Sequence, residues 1–302
     1  MLRLGVDLGG TKIEAALVED SGACVLRRRL PVSRDYLETL DAIADLVTKV
    51  EREAGLSKPL PVGLCHPGSL SPRTGLMRHS NLIALNGRPL DQDLSRRLNR
   101  AVRCANDANC FALSEARDGA AAGALSMFGV IAGTGVGGGL VLNGRLVRGA
   151  DASAGEWGHM ALPYLTAEER AADPACYCGR SGCVEAWCSG PALSRDHERQ
   201  TGRSLSAPEI AAAAKLGDKA CQLSLDRHAD RFARALTNVI KIVDPEVIVL
   251  GGGLSNLDGF ADTLAKRLPH WLSGDDLVAR IRTPLHGDSS GVRGAAWLWD
   301  DN

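Results

Sequence analysis

The sequence predicts an α/β protein built from two related lobes. Two segments carry this prediction, because Leu4–Gly9 and Phe128–Gly133 both read as an apolar strand running into a glycine turn that a second strand follows. Apolar residues recur at helical spacing from Tyr36 to Val50, which adds a helix between strands. A chain of 302 residues with 45% hydrophobic content can bury the cores of two domains.

The first part of the chain alternates short apolar runs with turns. Strands are predicted at Leu2–Val6, Ile13–Val18, Cys24–Leu30, Leu60–Cys65 and Ala101–Ala105. A second helix is predicted at Cys110–Ala116.

The second part repeats this order and then becomes more helical. Strands are predicted at Phe128–Ala132, Leu140–Leu142, Arg145–Val147 and Val247–Leu250, with the intervening Gly133–Gly139 read as a turn. Helices are predicted at Ile210–Leu216, Gln222–Ile242 and Gly294–Trp299, the first behind a capping box at Ser206–Glu209 and the last packing back on the first lobe. The expected domains are 1–118 plus 288–302 and 119–287, joined near Gly119–Gly123 and His286.

Charge and hydropathy exclude several classes of protein. The formal net charge is −1, so no basic excess points to nucleic acid. No signal peptide is recognisable at the start, and no apolar run approaches the ~20 residues that span a bilayer. We therefore expect a soluble cytoplasmic protein that binds neither nucleic acid nor membrane.

Three glycine turns follow strands and predict a nucleotide site. Glycine lets backbone N–H groups approach an anion, Thr11 and Lys12 add a hydroxyl and a positive charge, and Asp7 could hold a hydrated Mg²⁺. A single such turn is usually only a tight connection, but three together favour ATP. The expected nucleotide-binding residues are Asp7, Gly9, Gly10, Thr11, Lys12, Gly133, Thr134, Gly135, Gly137, Gly251, Gly252 and Gly253.

Three of the nine cysteines lie within eight residues and predict a metal site. Cys176, Cys178 and Cys183, with His159 lying 17 residues before the first of them, match the tetrahedral sulfur and nitrogen preference of Zn²⁺. All four positions are then filled by protein, so the zinc would be structural. The alternative is three buried free thiols and an ordinary core histidine.

A sugar site is predicted where Asn106 and Asp107 end a strand. Ligands of open α/β sheets lie at this edge, and the Asp107 carboxylate could accept the proton of an attacking hydroxyl. The alternative role of Asp107 is that of a helix N-cap. Glu156, His159 and Glu185 would bind sugar hydroxyls, although Glu156 and Glu185 could instead be ordinary surface charges.

With these residues considered together, the chain resembles the ROK family of sugar kinases and repressors over essentially its whole length. The matching motifs are Asp7–Lys12, Asn106–Asp107, Gly133–Gly137, Gly155–His159, Cys176–Glu185 and Gly251–Gly253. The resemblance implies a duplicated actin/hexokinase-like (RNase H-like) fold with an interlobe cleft, ATP with Mg²⁺, structural Zn²⁺ and a homodimer. Gly68 and Asn81 complete the sugar-binding residues expected of this chain.

Within the family the chain looks closest to bacterial fructokinases of the manno(fructo)kinase type. That resemblance rests on Leu85–Gly87, Asn106–Cys110 and the closing run His286–Trp299, while His66 departs from the Ile or Thr of many relatives and could alter sugar preference. It implies phosphorylation of D-fructose to fructose 6-phosphate, with Asp107 as general base. Glucokinase, mannokinase and N-acetylhexosamine kinase activities stay open.

Two readings from other classes compete with the enzyme. A sugar-sensing repressor is expected to carry a helix-turn-helix segment before the first strand, which begins here at residue 2. A catalytically inactive scaffold is disfavoured because Asp7, Lys12 and Asp107 are all present.

Overall fold

A computed structural model describes residues 1–272 and 277–300, with Asp288 described by its backbone only. The described chain divides into two compact units. The first comprises Met1–Leu125, Gly139–Gly155 and Leu285–Asn302, and the second comprises Ser126–Gly138 and Glu156–Pro284. The expected domains 119–287 and 288–302 include residues 273–276 and 301–302, which lie outside the described residues, and those domain limits stay predictions.

Strands predominate up to Leu146, and five consecutive α-helices follow before the next strand begins at Val247 in the described chain. The strands are β1 (Leu2–Leu8), β2 (Lys12–Glu19), β3 (Cys24–Pro31), β4 (Val62–His66), β5 (Ser69–Leu70), β6 (Met77–Arg78), β7 (Val102–Asn106), β8 (Ser126–Ala132), β9 (Val136–Leu142), β10 (Arg145–Leu146), β11 (Val247–Gly251) and β12 (Arg280–Arg282). The α-helices are α1 (Tyr36–Glu53), α2 (Leu90–Leu98), α3 (Asp107–Arg117), α4 (Ala167–Ala172), α5 (Val184–Cys188), α6 (Gly190–Thr201), α7 (Ala207–Lys215), α8 (Lys219–Val243), α9 (Phe260–Trp271) and α10 (Ser290–Trp297). Short 3₁₀ turns occupy Ile83–Leu85, Trp157–His159, Gly253–Asn256 and Gly287–Ser289.

Two five-stranded sheets share one strand order. The first runs β3-β2-β1-β4-β7 and the second runs β10-β9-β8-β11-β12. In the first, β1 pairs antiparallel with β2 and parallel with β4, and in the second, β8 pairs parallel with β11. The repeat predicted from Leu4–Gly9 and Phe128–Gly133 is confirmed, because β1 and β8 occupy the same place in the two sheets.

The core of the first unit lies between its sheet and two helices. Helix α1 buries a stripe of apolar residues that includes Leu40, Ile43 and Val47, and it packs with α2 on one face of the sheet. Asp35 caps α1 by accepting a hydrogen bond from the backbone N–H of Glu38. The helical spacing in the sequence therefore predicted this element correctly.

Helix α10 covers the other face of the first sheet and approaches it closely through glycine. A Cβ at Gly5 would lie 2.1 Å from the Val292 carbonyl oxygen, and one at Gly63 would lie 1.7 Å from the Ala295 carbonyl oxygen. Only glycine permits this backbone contact. The expectation that the last helix packs back on the first lobe is confirmed, although the helix begins at Ser290 rather than Gly294.

The second unit is organised around α8. Its Arg231 and Arg234 are buried and pair with Glu169, which lies at the start of α4 and also closes a capping box with Thr166. The predicted box of Ser206 and Glu209 is present before α7. No helix in the described ranges is long and apolar enough to cross a bilayer.

The glycine-rich segment after β8 differs from its prediction as a turn. Strand β9 begins at Val136, so Gly137 and Gly139 lie in a strand rather than in a turn. A Cβ at Gly139 would lie 2.5 Å from the Ala108 carbonyl oxygen of α3. Gly139 allows α3 to approach the strand closely, a use of glycine that the sequence does not distinguish from a turn.

Candidate active site

The first glycine turn joins β1 to β2 in the first unit. The backbone N–H of Gly9 donates to the Lys12 carbonyl at 2.9 Å, which closes the turn. Gly10 and Thr11 are exposed at its tip, and no heavy atom lies within 4 Å of a Cβ placed on Gly10. The turn therefore presents open backbone, as an anion-binding loop requires.

Asp7 lies beside this turn at the end of β1. It pairs in register with Cys65 of β4, and its carboxylate lies against Gly291 in the first turn of α10. Burial raises the pKa of Asp7, and the nearby charges of Glu14 and Asp107 raise it further. The structure thus brings the two carboxylates singled out in the first lobe, Asp7 and Asp107, into electrostatic contact.

A cluster of charges lies beside the first glycine turn, on β2 and β3. The Glu14 side chain is only 2% exposed, and Arg27 and Arg29 both pair with it. The Lys12 ammonium lies 4.0 Å from the same carboxylate. The sequence reasoning missed Glu14, although a glutamate in an otherwise apolar strand, opposite Asp7 in the ladder, was a usable signal.

Asn106 and Asp107 lie where β7 runs into α3. The Asn106 side chain caps the helix by accepting from the backbone N–H of Asn109 at 2.8 Å. The alternative role of Asp107 as the N-cap is therefore wrong, since Asp107 is the first residue of the helix and accepts from the backbone N–H of Ala108 at 2.8 Å. Asp107 is exposed to solvent at one side, and desolvation by the protein atoms that surround its carboxyl group raises its pKa. An exposed carboxylate with a raised pKa suits a general base.

The loop that carries Gly68 and Asn81 is fixed by a tight glycine conformation and by the Asn86 side chain. Gly68 adopts a φ of 79°, and a Cβ there would lie 2.6 Å from the Arg78 carbonyl oxygen. Asn86 accepts from the N–H of Ser80 and donates to its carbonyl, both at 2.9 Å. Asn81 is exposed beside this clamp. The role of Asn86 was not predicted from the sequence, because its bonds depend on how the loop returns.

His66 is buried at the end of β4. Only 1% of the residue is exposed, and burial lowers the pKa of its ring to about 4. The imidazole is therefore neutral at pH 7 and faces the protein interior. Any effect of His66 on sugar preference would act through the following loop rather than by direct contact.

In the second unit, the second glycine turn is bound to α5 and α6. Glu185 of α5 accepts from the backbone N–H of Val136 at 2.9 Å, and its carboxylate would lie 2.6 Å from a Cβ at Gly135. Gly190 donates to the Gly133 carbonyl at 2.7 Å. Glu185, predicted as a sugar ligand, thus also fixes the turn, while Thr134 is exposed at its tip.

The third glycine turn lies directly beside the second. Gly251 ends β11 opposite Ile131 of β8, and Gly252 follows with a φ of 82°. A Cβ at Gly252 would lie 2.4 Å from the Ala132 carbonyl oxygen, and one at Gly133 would lie 3.7 Å from the backbone nitrogen of Gly253. The structure therefore brings together two glycine turns that are more than a hundred residues apart in the sequence.

The four predicted zinc ligands converge. One donor atom from each of His159, Cys176, Cys178 and Cys183 lies within 4.8 Å of the others. The Nδ1 of His159 is 3.7 Å from the Cys176 sulfur, and the sulfurs of Cys178 and Cys183 are 3.6 Å apart. Edges of this length suit a tetrahedron around an ion with Zn–S bonds of about 2.3 Å. The residues present therefore fit zinc.

The turn that carries the cysteines is shaped by backbone bonds. The backbone N–H of Cys176 donates to the Arg180 carbonyl at 2.7 Å. Gly179 and Gly182 have φ values of 86° and 67°. Cys183 then precedes α5, which carries Glu185. The cluster consequently joins the segment that holds His159 to the helix that holds Glu185.

Tyr177 is a further polar residue of this region. Its hydroxyl lies 3.0 Å from Nε2 of His159, the ring nitrogen that does not face the Cys176 sulfur. Although 76% of the residue is exposed, desolvation of its hydroxyl raises the pKa of Tyr177 to about 12, and the nearby charges of Glu185 and Glu156 contribute to the increase. Tyr177 therefore lies near both glutamates. It was missed because an aromatic residue between cysteines reads as a spacer.

Comparison with known proteins agrees with this geometry. The model of the ROK family matches residues 3–302. An N-acetyl-D-glucosamine kinase of Escherichia coli O6:H1 is 40% identical over 298 residues, which are 97% of this chain and 98% of that protein. A ROK hexokinase from Thermus thermophilus superposes with a TM-score of 0.88 at 33% identity, covering 98% of this chain and 97% of that one. A ROK glucokinase from Streptomyces griseus, solved with glucose and AMPPNP, gives a TM-score of 0.78 at 26% identity, with 99% of each chain covered.

Proposed function

This chain is an ATP-dependent sugar kinase of the ROK family, and we propose that its substrate is N-acetyl-D-glucosamine. The observation that carries the proposal is the relationship to N-acetyl-D-glucosamine kinases, which runs at 40% identity over 97% of the chain. The motif resemblance to fructokinases favoured D-fructose instead. Fructose therefore enters the test as the competing substrate, beside glucose and mannose.

Asp107 is the proposed general base. Its carboxylate is exposed at the C-terminal end of β7, the edge where ligands of open α/β sheets bind. In phosphoryl transfer the protein mainly positions the reactants and neutralises charge, so one group near the attacking hydroxyl suffices to take its proton. The proton would move from the sugar hydroxyl to an Asp107 carboxylate oxygen as the hydroxyl oxygen bonds to the γ-phosphorus of ATP, and the bond from that phosphorus to the bridging oxygen breaks to release ADP.

The phosphates of ATP are proposed to bind at the glycine turns. In the first unit these are Gly9 and Gly10, with the Thr11 hydroxyl and the Lys12 ammonium. In the second unit Gly133, Thr134, Gly135 and Gly137 would add contacts, and Gly251, Gly252 and Gly253 would lie near the adenosine. Mg²⁺ held through Asp7, directly or through water, would neutralise charge on the phosphates.

The sugar contacts proposed from the first unit are Gly68, Asn81, Asn106 and Asp107. Those proposed from the second unit are Glu156, His159 and Glu185. The Nδ1 of His159 would bind zinc, which leaves Nε2 for the sugar, so a sugar hydroxyl would replace the Tyr177 hydroxyl as its partner.

Zinc is proposed to be structural. His159, Cys176, Cys178 and Cys183 fill a tetrahedral shell and leave no position for a reacting water. Its proposed effect is to hold the segments that carry Glu156 and Glu185. A homodimer is proposed from family membership, and the molar mass in solution by light scattering tests it.

A coupled assay of ATP consumption tests the substrate proposal. N-acetyl-D-glucosamine, fructose, mannose and glucose are supplied one at a time, with a reaction lacking sugar as the control. We expect the highest kcat/KM for N-acetyl-D-glucosamine. A higher kcat/KM for fructose would overturn the proposal in favour of the motif resemblance, and sugar-independent hydrolysis would contradict both.

The sugar-sensing repressor is the alternative from another class. A gel-shift assay at low salt, with and without N-acetyl-D-glucosamine, separates it from the enzyme. A sugar-responsive DNA complex together with no sugar-dependent turnover would favour the repressor.

A further inference from the structure

We propose that Gly291, in the first turn of α10, is a positioning residue for the Asp7 carboxylate and so sets the affinity of the kinase for Mg²⁺. The inference rests on the proposed role of Asp7 beside the phosphates. Gly291 itself would touch neither metal nor nucleotide.

Helix α10 is aligned with β1 so that its first turn reaches the end of the strand. Gly5 faces Val292 and Ala296, whereas Asp7, two residues further along and on the same face, faces Gly291. Helix α10 therefore runs opposite to β1. Its N-terminal end lies at the edge of the sheet where β1 enters the glycine turn.

The contact between Gly291 and Asp7 is as close as a glycine allows. A Cβ at Gly291 would lie 2.8 Å from Oδ2, 3.0 Å from Cγ and 3.3 Å from Oδ1 of Asp7. The backbone of Gly291 lies in a helix and has no positive φ, so its conformation does not require glycine. Glycine is required at position 291 because the Asp7 carboxylate occupies the space that a Cβ would need.

The first turn of α10 is fixed by its own hydrogen bonds. The Arg27 guanidinium donates to the Ser289 hydroxyl at 3.0 Å, and the Ser290 hydroxyl donates to the buried Glu115 carboxylate at 3.0 Å. Glu115 also accepts from the backbone N–H of Leu285 at 3.0 Å. With the helix held in this way, a methyl group at position 291 would displace the carboxylate rather than the helix.

Gly294, one turn later, provides a matched comparison. A Cβ there would lie 1.8 Å from the Cys110 carbonyl oxygen and 2.4 Å from its carbonyl carbon, so the obstacle is backbone of α3. Backbone yields far less readily than the end of a side chain. The same Gly→Ala change should therefore lower stability at position 294 and move a functional group at position 291.

A displaced Asp7 should weaken Mg²⁺ binding. Mg²⁺ demands near-ideal octahedral geometry and uses few protein ligands, so it tolerates little movement of the Asp7 carboxylate. Alanine is also a better helix former than glycine, so Gly291→Ala should not harm α10 itself.

The experiment measures the free Mg²⁺ concentration that half-saturates kinase activity in wild-type protein, Gly291→Ala, Gly294→Ala and Asp7→Asn, together with each Tm. Gly291→Ala should raise the half-saturating concentration about tenfold, as expected for a group that orients a metal ligand. Gly294→Ala should lower Tm more and leave the half-saturating concentration unchanged.

A second measurement needs no activity. Any loss of Tm in Gly291→Ala should disappear when the same change is made in an Asp7→Ala background, because the clashing carboxylate is gone. A Tm loss that persists there would overturn the inference.

Failure of the inference differs from failure of the proposed function. If Asp7→Asn loses its Mg²⁺ response while Gly291→Ala keeps that of wild type, Gly291 does not position Asp7. If Asp7→Asn itself responds to Mg²⁺ like wild type, the proposed role of Asp7 is wrong and the inference is overturned with it.

Discussion

At the scale of single residues, the account depends most on Asp107. Neighbouring side chains have different roles at this edge of the sheet. Asn106 caps α3, so the Asp107 carboxylate is not needed as the helix cap. The sequence placed both residues correctly at a strand end, but it suggested Asp107 rather than Asn106 as a helix cap. That choice depends on backbone angles at a single junction.

Asp107→Asn should keep the fold and lose phosphoryl transfer. The amide oxygen can still accept from the N–H of Ala108, but it cannot take the proton of the sugar hydroxyl. A positioned general base contributes about 10²- to 10⁴-fold, so we expect a fall in kcat of that order with little change in KM. Steady-state kinetics measure this, with the exposed Asp45→Asn of α1 as control. Turnover near wild type would refute the assignment.

The raised pKa of Asp107 predicts the acid side of the pH profile. A general base works only when ionised, so kcat/KM should fall as the pH drops through the pKa of Asp107. Burial raises this pKa, so the fall should begin at a higher pH than for an ordinary aspartate of pKa about 3.9. A pH–rate profile for the best sugar measures it. An acid limb at or below the ordinary value would contradict the environment described for Asp107.

At the scale of elements, most of the first lobe could be predicted because its central strands are apolar runs bounded by turns and its first helix is amphipathic. The apolar run Leu60–Cys65 predicted a strand that the structure has at Val62–His66, and helical periodicity predicted the helix that begins at Tyr36. The Gly133–Gly139 run was read wrongly beyond Gly135, because glycine marks both tight turns and places where another backbone comes close. The adjacency of the second and third turns could not be predicted, since it arises from the register of β8 with β11.

The cysteine turn should lose its metal when one ligand is removed. Wild-type protein should contain about one zinc per chain, and Cys178→Ser much less, because hydroxyl is a poor replacement for thiolate in a tetrahedral site. Elemental analysis by mass spectrometry measures the content. Cys24→Ser, an exposed cysteine of β3 outside the cluster, serves as control. A folded, active and metal-free wild-type protein would refute the zinc proposal.

The ion pairs of Glu169 with Arg231 and Arg234 should account for most of the change in the free energy of unfolding of the second unit at acidic pH. Burial raises the pKa of Glu169, but hydrogen bonds from Arg234 and Arg231 outweigh it and bring the pKa to about 2. The folded-state pKa lies below the ordinary 4.5, so this stabilisation is complete above pH about 4.5 and is lost as the pH falls toward 2.

Glu169→Gln should lower the free energy of unfolding by about 1.5–3 kcal/mol, because Arg231 and Arg234 lose charge-assisted hydrogen bonds to a shared carboxylate. Each guanidinium keeps one carboxylate partner, Asp196 for Arg231 and Asp230 for Arg234. Urea unfolding at pH 7 measures the change. The exposed neighbour Glu168→Gln should shift stability by no more than about 0.5 kcal/mol. Equal effects of the two variants would contradict the importance of the cluster.

At the scale of the whole molecule, duplication explains why so much could be predicted. The same strand order in the two sheets places glycine turns at equivalent strand ends, and the short match between Leu4–Gly9 and Phe128–Gly133 was enough to predict it. The identity of the sugar was not predictable in this way. It depends on where a few hydroxyl-binding groups stand, and residues such as Asn86 and Tyr177 take their places only through the folded loops.

Competition between sugars tests the central claim most directly. N-acetyl-D-glucosamine, fructose, mannose and glucose are mixed at equal concentration with limiting ATP, and the sugar phosphates are quantified by mass spectrometry after chromatographic separation. Product ratios then equal the ratios of kcat/KM. The account predicts that phosphorylated N-acetyl-D-glucosamine dominates and that Asp107→Asn forms almost none. A mixture dominated by a hexose phosphate such as fructose 6-phosphate would contradict it.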